Sequence, residues 1–427
     1  MNVVFGIFRN RRVLLMFLLG FASGLPFNLI GATFSAWLTN LGVDIKAIGL
    51  LSLVGLGYSL KLAWAPLIDR YRVPLLGRRR GWLLLFQLGL VAGIGAMGLL
   101  GPDRGSHPSS HILLVIIACA VGVGFLAASQ DIVSDAYRTD LMRPEERAAG
   151  TATYVFGYRV AMLSSGALAL ILSDHTSWRV VYLIMGGLMF VGVATTLWLA
   201  PEPETARPPR RLRDAIVEPL VDFFSRRGAV ILLVTILLFG LGDHVARTLT
   251  TPFLLRQGFS NSEVGEVTKV FGVIATMVGT LGAGGLVARY GLWRMMLLFA
   301  TLQPLGAGCY GLLALHGKSH PLLFLAVGVD NVCTGFAVAA LDAFLMALCN
   351  KRYSATQFAL LSSASGIAGR LIGSSAGFIA SRFGWSSFFF GTMFVCVPAL
   401  LLLWSQRRAV EAADRRTVTE AHPATAG

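Results

Sequence analysis

Several ionisable side chains lie inside stretches of the sequence that otherwise have the composition of membrane spans. They are Lys61, Asp131, Arg159, Asp342 and Arg370. A charge at the centre of a bilayer costs at least about 2.5–3.5 kcal/mol, so a chain rarely carries several unless they face a polar cavity. The set therefore predicts a polar cavity inside the membrane, of the kind that a solute carrier needs.

The segment around Asp131 combines two carboxylates and a guanidinium. On a helix, Asp131, Asp135 and Arg138 fall at i, i+4 and i+7 and share one face. Two carboxylates one turn apart in a low dielectric disfavour double ionisation, so one tends to keep a proton. The pair predicts a proton-coupling site with Asp131, the deeper residue, as its first candidate. For Asp135 and Arg138 an ordinary salt bridge near the cytosol is the alternative.

Lys61 is predicted to support this site. Lys61 and Asp131 each lie eight residues from the cytosolic end of their spans, or about 12 Å along a helix. They are therefore expected to lie level with each other. The alternative role for Asp131 is a static ion pair with Lys61 or Arg159 that holds the helices together.

Arg159 and Arg370 occupy corresponding positions in the two parts of the chain, and each is followed by a pair of serines. A guanidinium stays charged at physiological pH and binds carboxylates in a bidentate way, so both residues suit an anionic substrate. The alternative is charge relief with Asp131 or Asp342. Other polar residues of the spans are also predicted to bind substrate: Asp243, Arg247, Asp330, Asn331 and Asp342.

The composition favours a membrane protein. Of the 427 residues, 55% are hydrophobic and 14% charged, whereas soluble domains have about 25% charged residues. About 20 apolar residues of helix cross a bilayer, and helix is expected because lipid offers no partner to free backbone groups. Twelve stretches qualify: 12–40, 46–69, 81–101, 111–138, 147–173, 178–200, 228–254, 263–289, 293–315, 321–348, 354–381 and 385–406.

The net charge of +14 is distributed asymmetrically among the loops. With the N-terminus in the cytosol, 24 Lys and Arg residues lie on the cytosolic side, six on the outer side and six within spans. This bias is a strong positive-inside signal. It predicts an inner-membrane protein with both termini in the cytosol, and nucleic acid is not the expected partner. A cleaved signal peptide is disfavoured because the apolar pattern continues to Trp37.

Other function classes have no motif in the chain. The five cysteines lie within or beside spans without paired spacing, which indicates neither a disulfide framework nor a metal site. No phosphate-binding Gly-Lys-Ser loop is present. No nucleophile and base pair can be placed either, so the chain is not predicted to be an enzyme.

The chain divides once, at a segment rich in proline and arginine. We predict a bundle of six spans over 1–200, a cytosolic linker over 201–227, a second bundle over 228–406 and a disordered tail over 407–427. The two predicted bundles share a repeated motif, because Gly42 and Gly49 in the first have the same spacing as Gly258 and Gly265 in the second. Two pseudo-symmetric bundles of six helices form the major facilitator fold, whose substrate site is expected where the bundles meet.

The loop after the second span supports this fold. Asp69-Arg70-Tyr71 and Gly77-Arg78-Arg79-Arg80 resemble a loop pattern of the major facilitator carriers, in which this loop is linked to the cytosolic gate. The resemblance implies gate roles for Asp69, Arg70 and Arg78, with Arg138 nearby. The alternative is a basic loop that only fixes topology.

Longer motifs resemble the AmpG family of anhydromuropeptide permeases over residues 13–400. They are Gly20-Phe-Ala-Ser-Gly-Leu-Pro26, Trp64-Ala-Pro-Leu-Ile-Asp-Arg-Tyr71, Ala128-Ser-Gln-Asp-Ile-Val-Ser-Asp135, Gly157-Tyr-Arg159 and Ala355-Thr-Gln-Phe-Ala-Leu-Leu361. The resemblance implies import of N-acetylglucosaminyl-1,6-anhydro-N-acetylmuramic acid and its peptides from periplasm to cytosol. It also implies a proton as the coupling ion with no other cofactor, a functional monomer, and a role in peptidoglycan recycling and β-lactam resistance.

By motif match, the resemblance assigns substrate or coupling roles to Gln130, Asp131 and Arg159, with Lys61 in support, and Tyr58 is also predicted to bind substrate. Two other interpretations stay open. One is a major facilitator carrier for another anionic solute, such as a siderophore or a coenzyme A ester. The other is a membrane assembly or sensor factor that has the same fold but transports nothing.

Overall fold

The computed structural model describes residues 11–71, 73, 76–103, 109–142, 147–202, 218, 221–225, 228–348 and 354–407. Ten α-helices precede residue 202: α1 Arg11–Leu29, α2 Ala32–Asn40, α3 Ile45–Leu50, α4 Leu56–Leu60, α5 Ala65–Arg70, α6 Arg78–Leu100, α7 Ser110–Leu141, α8 Arg147–Leu163, α9 Ala169–His175 and α10 Trp178–Ala194. Ten more begin at residue 229: α11 Ala229–Phe239, α12 Leu241–Arg256, α13 Asn261–Val264, α14 Gly272–Tyr290, α15 Leu292–Leu302, α16 Pro304–His316, α17 His320–Leu348, α18 Ser354–Gly373, α19 Ala376–Phe394 and α20 Val397–Ser405.

All twelve predicted spans fall on helical segments of the described chain. Ten segments are long and apolar enough to cross a membrane, and the predicted second span includes the shorter apolar helix Ile45–Leu60. The eleventh span corresponds to α18 and the start of α19. Gly384, with a φ of 78°, turns the chain before the twelfth. The prediction of an all-helical membrane protein is confirmed.

The second span is not the continuous helix predicted for 46–69. Two 3₁₀ segments, Leu51–Gly55 and Lys61–Ala63, interrupt it. The last break precedes Pro66, which has no backbone N–H to continue the helical hydrogen bonds. Since a 3₁₀ segment rises by about 2.0 Å per residue instead of 1.5 Å, depths counted along a regular helix do not hold in this span.

The described residues form two compact units. The first comprises those of Met1–Asp44, Val54–Arg210 and Phe259–Lys269, and the second those of Ile45–Leu53, Arg211–Gly258 and Val270–Gly427. The predicted bounds at 200 and 228 stay predictions. Most of the predicted linker and all of the predicted tail after residue 407 lie outside the described residues.

In the first unit, α1 and α8 approach each other closely. A Cβ atom built on Gly24 would lie 2.5 Å from the carbonyl oxygen of Tyr158. Small residues at such crossings allow membrane helices to pack backbone to backbone. Buried Met16 and Leu19 of α1 join a core with Phe86 and Val133. This packing brings the polar face of α1 against α7.

In the second unit, α14 and α17 make a similar contact. A Cβ atom on Gly335 would lie 2.7 Å from the amide nitrogen of Thr280. A core of buried aromatic residues surrounds the helices, and the rings of Phe299 and Phe336 stack with centroids 4.8 Å apart. These contacts fix α17, which carries several of the predicted site residues.

The repeated glycine motif has matching local structure at both of its copies. Gly42 and Gly258 have φ values of 72° and 91°, a conformation that glycine adopts without strain. Gly49 and Gly265 both lie against the backbone of another helix, where an added Cβ would be 2.8 Å and 3.1 Å from the nearest atom. The sequence repeat is therefore also a structural repeat at these positions.

Candidate functional site

A group of buried polar side chains lies in the first unit where α7 faces α1. Gln130 is 1% exposed, and its Nε2 donates a hydrogen bond of 3.3 Å to Ser23 Oγ. Ser23 Oγ in turn donates to Ser134 Oγ, also at 3.3 Å. Asp131 follows Gln130 on α7, so the group places a carboxyl, an amide and two hydroxyls together.

Two buried oxygens of this group have no hydrogen-bond partner in the part of the chain that the structure describes. They are Oε1 of Gln130 and Oδ1 of Asp131. Buried polar atoms are nearly always hydrogen-bonded, so exceptions call for a chemical explanation. Asp131 Oδ1 can take up a proton without breaking an existing hydrogen bond. Gln130 Oε1 can accept from a hydroxyl or amide of a ligand.

Charged side chains continue from this group along α7. Asp135 Oδ1 lies 3.2 Å from Arg138 Nη2, which is the predicted salt bridge. Asp135 Oδ2 lies 3.8 Å from Lys61 Nζ. Lys61 thus pairs with Asp135, which lies one turn nearer the cytosolic end of α7 than the predicted partner Asp131. The guanidinium of Arg138 also covers the ring of Tyr154, 4.7 Å from its centroid.

Arg159 and Tyr58 lie outside this ion-pair network. Arg159 is exposed on α8, and no ion-pair partner lies within 4.0 Å of it among the described residues. Among those residues, its guanidinium is therefore not neutralised by an ion pair, and it can bind the carboxylate of a ligand. Tyr58 is half-buried and meets Phe27 edge to face, with centroids 5.8 Å apart.

In the second unit, three of the predicted residues form one cluster. Arg247 Nε lies 2.9 Å from each carboxylate oxygen of Asp243. Arg247 Nη2 lies 2.9 Å from Asp330 Oδ2 and also donates to Thr334 Oγ1. The side chains of Asp243 and Asp330 are 11% and 9% exposed. The cluster ties α12 to α17 and uses at least two nitrogens of the guanidinium.

The other predicted residues of the second unit are separate from this cluster. Asn331 is fixed by its own bonds, since Nδ2 donates to Val327 O and Oδ1 accepts from Thr276 Oγ1. Asp342 is half-buried, and it has no ion-pair partner in the described ranges. Arg370 is half-buried, and its carbonyl oxygen accepts a hydrogen bond of 2.9 Å from Ser52 Oγ.

Three of the predicted gate residues lie at the end of α5 and the start of α6. Asp69 and Arg70 end α5 and Arg78 begins α6, but their side chains lie outside the described residues. Their neighbour Arg79 pairs with Asp140 at 2.8 Å. The carboxylate of Glu202 accepts from the backbone N–H groups of residues 79 and 80, at 2.9 Å and 3.0 Å. Glu202 thus satisfies free donors at the N-terminus of α6.

Several of these partners are not among the residues predicted from the sequence. Thr334 could have been found, because it stands four residues after Asp330 and so shares its helix face. Ser23 and Glu202 gave no such signal. Their contacts depend on which helices are neighbours, and neither hydropathy nor residue spacing specifies that.

Comparison with known proteins agrees with this architecture. The profile of the Major Facilitator Superfamily matches residues 16–369. A protein of Escherichia coli (strain K12) named anhydromuropeptide permease is 45% identical over 408 residues, which covers 95% of this chain and 82% of that protein. A relative from Rickettsia felis is 33% identical over 408 residues, with 93% and 97% covered.

The crystal structure of the nucleoside transporter NupG superposes with a TM-score of 0.74 at 12% identity and covers 92% of this chain and 98% of that one. At this identity the likeness concerns the fold alone, and it agrees with the fold predicted from the sequence.

Proposed function

The chain belongs to the major facilitator superfamily, and from this premise we propose that it imports anhydromuropeptides across the bacterial inner membrane in symport with protons. Family membership confirms the prediction of a multi-pass membrane transporter and not an enzyme. The observation that carries the substrate proposal is the likeness to the Escherichia coli anhydromuropeptide permease, which extends over nearly the whole chain.

The first unit supplies suitable chemistry for this cargo. Anhydromuropeptides combine sugar hydroxyls, amides and carboxylates. The free Oε1 of Gln130 can accept a hydrogen bond from a hydroxyl or amide. Arg159, exposed and without an ion-pair partner in the described part of the chain, can bind a carboxylate through two parallel hydrogen bonds. These two residues are the proposed substrate contacts of the first unit.

Asp131 is the proposed proton carrier of this unit. Its Oδ1 is buried and has no hydrogen-bond partner among the described residues. Lys61 and Arg138 are both engaged by Asp135. Among the described residues, no ion pair within 4.0 Å holds the carboxyl of Asp131, although Lys61 is close enough to act on it electrostatically. Asp131 can gain a proton on one side of the membrane and release it on the other.

Import of an anionic cargo into a compartment with a negative interior requires coupling to the entry of protons. Moving one elementary charge is worth about 2.3 kcal/mol per 100 mV of membrane potential. A negative interior opposes entry of an anion by that amount for each charge. We therefore expect at least one proton per net negative charge of the cargo, so that the transported set is neutral or positive.

The remaining parts of the proposal concern location and partners. The excess of basic residues in one set of loops supports cytosolic termini in the inner membrane. The protein is proposed to act as a monomer in the bilayer, without nucleic acid as a partner and with the proton as its only coupling species.

Uptake by the purified protein tests the proposal. Proteoliposomes with an alkaline interior should concentrate labelled disaccharide, and a protonophore should abolish the concentration. Unlabelled anhydromuropeptide should compete, whereas a coenzyme A ester and a siderophore should not. Competition by either of those two solutes, with none by anhydromuropeptide, would assign the carrier to another anion. No uptake of any of them would favour a factor that does not transport.

A further inference from the structure

A recess in the second unit opens onto two carboxylates. Its cavity volume is about 20 Å³, which is room for about one water molecule. Its polar lining consists of Asp243, Asp330, Gln303 and Thr392, and the rest of the lining is apolar or small. All of these residues belong to the second unit, so the recess is distinct from the polar group around Asp131.

The charges at this recess do not balance. Asp243 and Asp330 together carry two negative charges when ionised, and they share the single guanidinium of Arg247. Neither carboxylate has a second cation within 4.0 Å in the described residues. Both carboxylates are largely buried, and a net negative charge on buried groups is costly unless a positive charge joins it. The cluster therefore has room for one positive charge.

The surrounding groups do not supply that charge. The ionisable side chains packed around the cluster are His244 on α12, Cys309 and Tyr310 on α16, Cys333 on α17, Arg370 on α18 and Cys396 beside α20. Tyrosine and cysteine do not become cations. The ring of His244 packs against Gly369, and among the described residues it forms no ion pair within 4.0 Å with Asp243 or Asp330. Arg370 acts electrostatically on His244.

The geometry favours a proton over the other occupants. No group of three or more His, Cys, Asp or Glu residues in the described chain could hold a metal ion. Two carboxylates repel an anionic cargo. Arg247 holds Asp330 through Oδ2 alone. Oδ1 lies beside Gly306, where an added Cβ would be 2.7 Å away, and it is not the oxygen that Arg247 binds. A proton fits on Oδ1.

We propose that Asp243, Arg247 and Asp330 form a second proton-binding site, contained within the second unit, whose proton is carried in each transport cycle. The proposal revises the sequence prediction that these residues bind substrate, and its coupling role rests on the proposed function. The proton binds Oδ1 of Asp330, the cluster passes from a net charge of −1 to zero, and its release restores the negative charge. The pair of Arg247 with Asp243 persists in both states.

Proton binding can be measured without substrate. Purified full-length protein is titrated from about pH 5 to about pH 9, a range in which Arg keeps its charge. The wild-type protein should bind one more proton than Asp330→Asn and one more than Asp243→Asn. Each variant leaves one Asp–Arg pair, so both are expected to fold with a melting temperature near that of the wild type. Equal proton counts in all three proteins would identify a static ion pair and overturn the proposal.

Transport by the same proteins tests coupling. In proteoliposomes with a pH gradient of about one unit, Asp330→Asn should lower the accumulation ratio of labelled anhydromuropeptide about tenfold for the proton lost. Counterflow, which exchanges labelled for unlabelled substrate without net proton movement, should stay within about twofold. Asp103→Asn, the same substitution at an exposed loop carboxylate, is the matched control and should change neither quantity.

The outcomes separate this proposal from the proposed function. Wild-type accumulation by Asp330→Asn would show that its proton is not coupled and would overturn the proposal. Loss of both accumulation and counterflow in a folded variant would place the cluster in substrate binding and also overturn it. Absence of counterflow in the wild-type protein would refute the proposed substrate, and the proton titration would still decide the proton site.

Discussion

The contact of α1 with α8 is predicted to control both the stability of the first unit and its polar site. In Gly24→Ala the new Cβ would start 2.5 Å from the carbonyl oxygen of Tyr158 and 3.0 Å from its Cα. Ordinary contact begins at 3.4 Å, so the two helices would have to separate by about 1 Å. Ser23, the neighbour of Gly24, would move with α1 and lose its bond to Gln130.

The expected change in the free energy of unfolding of Gly24→Ala combines two opposing contributions. Alanine in place of glycine gains about 1 kcal/mol of helix propensity, whereas overpacking of a tight contact costs about 1–3 kcal/mol. Gly122→Ala on α7 is the matched control, because nothing lies within 4 Å of the added Cβ. Both variants gain the same propensity, so the difference between them isolates the clash.

The assay is the melting temperature of the purified protein in detergent, together with the KM for anhydromuropeptide in proteoliposomes. Gly24→Ala should melt below Gly122→Ala and should have a raised KM, because Gln130 is displaced. Equal melting temperatures for the two variants would refute the close helix contact. A lower melting temperature with an unchanged KM would show that the contact of α1 with α8 stabilises the unit without positioning Gln130 for substrate binding.

Three further substitutions test individual contacts. Arg159→Lys keeps the charge but loses the planar fork, so the uptake KM should rise while membrane expression stays constant; an unchanged KM would remove Arg159 from the substrate site. Ser23→Ala leaves Nε2 of Gln130 without its acceptor, so the melting temperature should fall by the equivalent of about 1–3 kcal/mol, and an unaltered melting curve would contradict that bond. Glu202→Gln removes a negative charge at a helix N-terminus, worth about 0.3–1 kcal/mol; it should lower the melting temperature slightly and leave the KM as it is, whereas a changed KM would link Glu202 to the substrate path.

The span pattern could be predicted because it depends only on length and hydropathy. A helix must bury its own backbone groups in lipid, so each apolar stretch of about 20 residues specifies one crossing. The depth of Lys61 could not be predicted in the same way. Its span is broken by 3₁₀ segments, and the regular rise per residue that placed Lys61 level with Asp131 does not apply there.

The candidate site was predictable along each helix but not across helices. Asp243 and Arg247 stand four residues apart, so their pairing follows from the helical period. The bond from Arg247 to Asp330 joins residues 83 positions apart. It requires α12 to lie beside α17, and neither hydropathy nor residue spacing in the sequence predicts that these two helices are neighbours. The same reason explains why Ser23 was missed beside Gln130.

Proton-coupled import through Asp131 can be measured as the accumulation of labelled anhydromuropeptide by proteoliposomes under an imposed pH gradient, for the wild-type protein and Asp131→Asn. With no membrane potential, the wild type should concentrate the label by about tenfold per pH unit for each coupled proton. The folded variant should exchange label by counterflow but concentrate it about tenfold less per pH unit than the wild type, because the proton on Asp131 is lost. Equal concentration by the two proteins, or concentration that a protonophore leaves unchanged, would contradict proton-coupled import through Asp131.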